Sequence, residues 1–337
     1  MTRSQFLLAT LACSFAASSI AAHADTRYRL TQIVPDTPAA TIAAADLNNR
    51  GQIVGSVQEV NGRQHAFAWR DGTLTNLGPL LDPTSTQSRA TNNNDHGDII
   101  GFYFHGDAFE FANFLLRRGE VTHIEGSPGQ ILELVDINDR RQIVVGAVAE
   151  DGSSQAFLWE DGNLMPLPPL PGDPSASAFR VNERGEVLGT SGGPTGHVVI
   201  WEDGQPLDLN IPGATPADFN DREQVVGTLQ RRGFVWERGT VTSLPVFEGS
   251  VVTQAFSINN AGEIVGTSNL ETAPRATLWE DEQIFNLNDL IRSDDPLRSF
   301  VTLEGASSIN DRGAIVASGR DSRFPTEFRT YLLTPAH

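Results

Sequence analysis

Short apolar runs recur along the whole chain, broken by turns rich in Asn, Asp and Gly. In "HAFAW" (65–69), Phe67 and Trp69 fall on one face of an extended chain and Ala66 and Ala68 on the other. That is the period of two expected of a strand. In "QIVG" (52–55), Ile53 and Val54 are adjacent, so both faces are apolar. A sheet apolar on both faces needs a neighbour on each side. Before this run, "NNRG" (48–51) suits a tight hairpin in which Gly51 takes a positive φ. Asp71-Gly72, Asp161-Gly162 and Asp203-Gly204 are strong signals for two-residue hairpins. Each unit therefore predicts four short antiparallel strands, in blade order "AADLN", "QIVGSV", "HAFAWR" and "TLTNLG".

The same unit returns seven times. "ADLNNRGQIVG" (45–55) recurs as "ATNNNDHGDIIG", "LVDINDRRQIVVG", "AFRVNERGEVLG", "PADFNDREQVVG", "AFSINNAGEIVG" and "ASSINDRGAIVAS". One asparagine anchors each copy: Asn48, Asn94, Asn138, Asn182, Asn220, Asn259 and Asn310, at intervals of 46, 44, 44, 38, 39 and 51 residues. A second element follows each copy, and all five tryptophans (Trp69, Trp159, Trp201, Trp236 and Trp279) share one position in it. Leu116 and Leu333 fill that position in the other two copies. Arg141 and Glu223 stand where other repeats have the turn glycine, so strain is expected there, and Val145 reads as an inserted bulge residue.

Small four-stranded sheets, apolar on both faces and repeated every 40–50 residues or so, predict an all-β fold, a β-propeller of seven blades. The ends agree. "YRLTQIV" (28–34) resembles a fourth strand, and "TYLLTPAH" (330–337) a third strand with nothing after it. Pairing them would close the ring and remove its edges. An open β-solenoid is the alternative, and it leaves the complementary ends unexplained. The longest interval carries an insertion in which a short helix is expected near Asn288.

The pattern resembles the HAF repeat, a family of exported bacterial proteins named for His-Ala-Phe, here His65-Ala66-Phe67. The resemblance spans roughly residues 28 to 335, including "NLNDLIRSDDPLRSFVTLEGASSINDRG" and "YLLTP" at the end. It implies export and a propeller-like β fold, and it brings no catalytic residues with it. Repeats two and four depart most, with Leu116 for Trp and "VVIW" for "HAFLW".

The N-terminus fits export. Arg3 precedes an apolar run from Phe6 to Ala22, and Ala22-His23-Ala24 resembles a cleavage site. Residues 1–24 are therefore expected to be a secretory signal peptide and 25–337 a single domain, extracellular or periplasmic. The only cysteine, Cys13, would leave with the signal, so no disulfide or Cys-ligated metal is expected. The formal net charge is −18 and no lysine occurs, which opposes nucleic acid and anionic lipid as partners. No membrane insertion of the mature chain and no cofactor are expected. A monomer that meets an envelope or extracellular glycan or protein is the partner expectation.

Candidate chemistry is sparse. "NNNDHGD" (92–98) is the segment richest in oxygen ligands, with Asn92, Asn94 and Asp98 as a weak Ca²⁺ set. Elsewhere the fifth position of the loop is mostly arginine, and the anchoring asparagines, such as Asn48, Asn138, Asn259 and Asn310, are expected to bond their own turns. "GTSGG" around Ser191 matches a nucleophile elbow but leads into a strand, not a helix. His65, His96, His105, His123, His197 and His337 show no metal-ligand spacing, and "PLPPLPG" (166–172) reads as a connecting loop. Glu160, Glu202 and Glu280 recur at one register, which spreads them around the ring. Two positions before each anchor lie Asp46, Asn92, Asp136, Arg180, Asp218, Ser257 and Ser308. If the first strands line a central channel, these side chains form a mixed polar ring able to bind a small polar ligand, with Asp46, Asn92, Asp136, Arg180 and Asp218 as its core. The function expected is binding or structural and non-catalytic. The alternatives are a glycan-acting hydrolase or lyase using the channel, and a Ca²⁺-dependent adhesin.

Overall fold

The computed structural model describes residues 27–35, 40–85, 87–105, 110–126, 130–149, 151–192 and 196–336. The expected signal peptide lies outside them. Seven four-stranded antiparallel sheets are arranged in a ring. The chain is a seven-bladed β-propeller. In blade 1 the strands are Thr41–Leu47, Ile53–Gln58, Gln64–Arg70 and Thr73–Asn76, paired in sequence order from the channel outward.

The ring closes as the two termini imply. The last blade runs Val301–Ile309, Ile315–Asp321, Phe324–Ala336, and its fourth strand is the N-terminal segment Arg27–Gln32. Leu30 pairs with Leu333 in that register. The N-terminal strand is also held on its other side: Tyr28 N–H donates to Leu290 O, and Leu30 N–H donates to Asp295 Oδ2 at 2.9 Å. The insertion that supplies these partners is a run of turns, so the helix expected near Asn288 is absent. Asn288 uses its side chain instead, donating to Leu303 O and accepting Leu303 N–H. The described helix is a four-residue piece, Gly78–Leu81, in the connection after blade 1.

Seven apolar clusters form the core, one at each seam between blades. The tryptophan position always faces the preceding blade. Trp201 packs on Val144, Ala156 and Leu158 of blade 3, and Trp236 on Leu188, Val198 and Ile200 of blade 4. Leu116 and Leu333 take the same place in their seams. Trp201 is 1% exposed and its indole N–H donates to Pro168 O at 2.7 Å, so the proline-rich connection lies against it. Trp159 is only half-buried.

The turns carry the expected backbone. Gly51 has φ +75°, and Asp71 and Gly72 have +50° and +84°. Arg141 and Glu223 sit at +63° and +59°, the left-handed region that side chains avoid. The bulge differs from expectation. Val145 pairs regularly with Leu134 and Phe157. The extra residue lies on the first strand, and does so in every blade: Ala45, Thr91, Val135, Phe179, Ala217, Phe256 and Ser307. In five blades a second-strand glycine, Gly55, Gly101, Gly189, Gly227 or Gly266, lies close against the first strand there. A Cβ on Gly189 would stand 2.1 Å from Ser177 O.

Candidate functional site: the central channel

The bulge precedes the polar ring position in each blade, and a bulge turns the following side chain relative to the pleat. Asp46, Asn92, Asp136, Arg180, Asp218, Ser257 and Ser308 all line one cavity of ≈ 210 Å³ at the centre of the ring. The five residues expected to form its core are therefore brought together, with the two serines beside them.

Two belts of hydrogen bonds frame this cavity. In the first, the anchoring asparagines act twice. Asn48 Oδ1 accepts the N–H groups of Arg50 and Gln52 in its own turn, as the sequence led us to expect. Its Nδ2 also donates to Asn94 O in the next blade at 2.7 Å. Asn94, Asn138, Asn220, Asn259 and Asn310 make the same step to the following anchor's carbonyl. Asn182 donates to Glu186 Oε2.

The second belt is formed by the residue after each anchor, which sequence reasoning missed. The side-chain oxygens of Asp95, Asp139, Glu183, Asp221, Asn260, Asp311 and Asn49 each accept the N–H of the equivalent residue in the preceding blade, at 2.6–3.0 Å. The loop is complete. Its signal was present in the sequence: this position holds Asn, Asp or Glu in all seven repeats, each with an oxygen to accept. Five of the seven are acidic, so the channel mouth carries negative charge.

Inside, Arg180 meets the carboxylates of both adjoining blades. Its Nε lies 3.6 Å from Asp218 Oδ1. Burial disfavours its charge, but Asp136, Asp218 and Asp46 outweigh this and hold it protonated. Asp136 accepts Val181 N–H at 2.7 Å and Asp218 accepts Ile258 N–H at 3.0 Å. Burial still raises both acids, against Arg180 and those N–H groups. Asp46 is pushed up to about 7, by burial first and then by the charge on Asp136.

The other candidates are dispersed or committed. Asn92 lies in the channel. Asn94 is taken up by its turn and by Asn138 O, and the Asp98 carboxylate faces Arg141 Nε at 2.7 Å. Among the described residues no group of three His, Cys, Asp or Glu is placed to hold a metal ion. Ser191 Oγ donates to Asp173 and accepts Leu170 N–H, while His197 Nδ1 lies 3.2 Å from the same Asp173 oxygen. The carboxylate stands between hydroxyl and imidazole, so the imidazole is not placed to take the serine proton as the base of a triad must. His65, His96 and His105 sit beside Glu59, Asp139 and Asp82 in separate places, His123 beside Asn113 O, and His337 lies outside the described residues. Glu160, Glu202 and Glu280 belong to three different blades.

No protein-family model matches the chain, and no curated protein matches it. Solved structures do. The virginiamycin B lyase from Staphylococcus aureus aligns over 91% of this chain and 99% of its own, at TM-score 0.52 and 10% identity. YCF48 bound to D1 peptide aligns over 92% and 97%, at TM-score 0.51 and 11% identity. An acylaminoacyl peptidase from Pyrococcus horikoshii reaches TM-score 0.57 at 12% identity, over 86% of this chain and 50% of that one. At such identities the likeness is one of fold, and this fold hosts unrelated activities.

Proposed function

We propose that the protein is an exported, non-catalytic binding propeller of the HAF-repeat type, with the central channel as its ligand site. The observation that carries this reading is the convergence of one polar side chain from each blade on a single ≈ 210 Å³ cavity. A propeller channel is the concave site that this fold offers. The sequence supports export through residues 1–24, and the family through His65-Ala66-Phe67 and the repeats around it. The test is a thermal-midpoint screen of the protein against envelope and extracellular oligosaccharides and small polar compounds, followed by calorimetry. Ligands of the native state raise the midpoint by mass action. A hit whose affinity collapses in Arg180→Glu supports the channel. A hit unaffected by that change and by Asp46→Asn, in variants that melt as wild type does, places the site elsewhere.

A second reading, a glycan-acting hydrolase or lyase, has one observation behind it. The fold brings Asp46, Asp136 and Asp218 to one cavity, and Asp46 is held near 7, where a carboxyl is able to act as an acid. Product release from a bound glycan, lost in Asp46→Asn, would establish it. Binding without turnover would retire it.

A further inference from the structure

The polar ring of the channel is satisfied on one side only. Arg180 is flanked by Asp136 and Asp218, and both acids also accept backbone N–H groups from the next blade. Across the ring, Asp46 accepts the N–H groups of Asn93 and Leu47 but has no cation within ion-pair distance among the described residues. In the two blades that adjoin it stand Asn92 and Ser308. The two residues are 7% and 8% exposed and line the same cavity, and their side chains make no hydrogen bond to the described residues. Neither the Asn92 amide nor the Ser308 hydroxyl is sealed off from the channel, so a ligand is able to supply the partner that the protein does not.

We infer that Asp46, Asn92 and Ser308 form the seat of a primary ammonium group, so that the ligand of the channel is a small amine; this rests on the channel being a ligand site. An –NH₃⁺ group has three donors and no acceptor. The carboxylate of Asp46, the amide oxygen of Asn92 and the hydroxyl of Ser308 offer one acceptor each. Which end of the Asn92 amide faces the cavity is free to follow the ligand, because nothing in the protein holds it.

Other ligand chemistries fit less well. An anion would meet three carboxylates against one guanidinium inside, and an acidic mouth outside. A neutral sugar offers Asp46 no counter-charge and so gains nothing from its ionised form. A calcium ion takes six to eight oxygens, from carboxylates, carbonyls and water, and this side of the ring supplies one carboxylate. The acidic mouth favours entry of a cation. The cavity, at ≈ 210 Å³, holds roughly seven times the volume that one water occupies in the liquid, enough for a short amine.

The experiment is calorimetric titration of the protein with propylamine and putrescine, against propanol, sodium chloride and calcium chloride as controls. The amines are expected to bind saturably and propanol not at all. Asp46→Asn is expected to weaken amine binding by about tenfold or more, since it removes the counter-charge and keeps the shape. Ser308→Ala, the smaller change, is expected to weaken it by a few fold. No amine binding to wild type overturns the ammonium seat. So does amine binding that Asp46→Asn and Ser308→Ala both leave unchanged, and so does calcium that binds more tightly and displaces the amine. A neutral oligosaccharide that binds in an Arg180-dependent way, while amines do not, overturns the ammonium class and leaves the channel reading standing. Hits of any class that are all indifferent to both Arg180→Glu and Asp46→Asn overturn both.

Discussion

The side-chain amide of Asn310 donates to the backbone carbonyl of Asn48 at 2.9 Å, joining residues 262 positions apart. This bond ties the last blade to the first at the channel mouth. Asn310 Oδ1 meanwhile accepts the N–H groups of Arg312 and Ala314 in its own turn. The two roles can be separated. Asn310→Ala removes both and is expected to cost about 2–4 kcal/mol, because buried backbone groups lose partners on each side. Asn310→Asp keeps the acceptor and removes the donor, and is expected to cost about 1–3 kcal/mol. Denaturant unfolding measures both. If Asn310→Asp unfolds at the wild-type midpoint, the bond between blades adds nothing and only the turn matters.

Much of this was legible because each repeat states it locally. The apolar run, the Asn turn, the hairpins and the single tryptophan register sit within about 35 residues of one another in every copy. What stayed hidden depends on neighbours across space. Asn49 accepts from Asp311, and Asp95 from Asn49, partners 262 and 46 residues away, so the second belt reads in sequence as ordinary turn polarity. The bulge was misplaced for a related reason. An extra valine at Val145 looks like an insertion, whereas the bulge common to all blades sits on the partner strand, where residue counting shows nothing unusual. The convergence of Asp46, Asp136 and Asp218, by contrast, was legible through their shared repeat position, because one register on a closed ring faces one channel.

The tryptophans are not equivalent, although the sequence places them alike. Trp201 is 1% exposed and its indole is hydrogen-bonded to Pro168 O, whereas Trp159 is half-buried. Trp201→Ala is expected to cost about 3–5 kcal/mol as a fully buried aromatic truncation. Trp159→Ala should cost less, roughly half as much. Equal losses of stability would show that seam depth does not set the cost.

Glycines in the second strands offer a matched pair. A methyl group on Gly189 would stand 2.1 Å from Ser177 O, 2.6 Å from the Trp201 ring and 2.9 Å from Ala178 Cα, and two of those three atoms are backbone. On Gly146 it would meet nothing within 4 Å. Neither glycine has a positive φ, so backbone strain does not enter. Gly189→Ala is expected to destabilise by about 1–3 kcal/mol or more through overpacking at the bulge, and Gly146→Ala to be neutral or slightly stabilising. Thermal melts of the two variants decide it. A tolerated alanine at 189 would mean that the first strand is able to move away, and with it the ring position Arg180.

Stability should fall as pH rises through neutrality, and Asp46 provides the cleanest test. Its carboxyl is pushed up to about 7 in the fold, from 3.8, by burial and by Asp136. Between those values the native state holds a proton that the unfolded chain has lost, and proton uptake on folding makes stability decrease with pH. The contribution is therefore fully expressed above about pH 7 as a penalty, and it fades as the solution is acidified towards pH 4–5. Asp136 and Asp218, also raised by burial, act in the same direction, while Arg180 stays charged throughout. At the rim the solvent-exposed Glu183 is likewise pushed up, by partial desolvation and by the charges of Asp139, Asp221 and Asp95. The wild type is expected to be more stable at pH 5.5 than at pH 8, by on the order of 2 kcal/mol from Asp46. Asp46→Asn removes the titrating proton while its amide oxygen is still able to accept Asn93 N–H. Its stability should vary less over the same range, and it should exceed wild type at pH 8. Parallel pH profiles for the two proteins would mean that Asp46 titrates at its ordinary value, and that the channel solvates its charge without help from a bound cation.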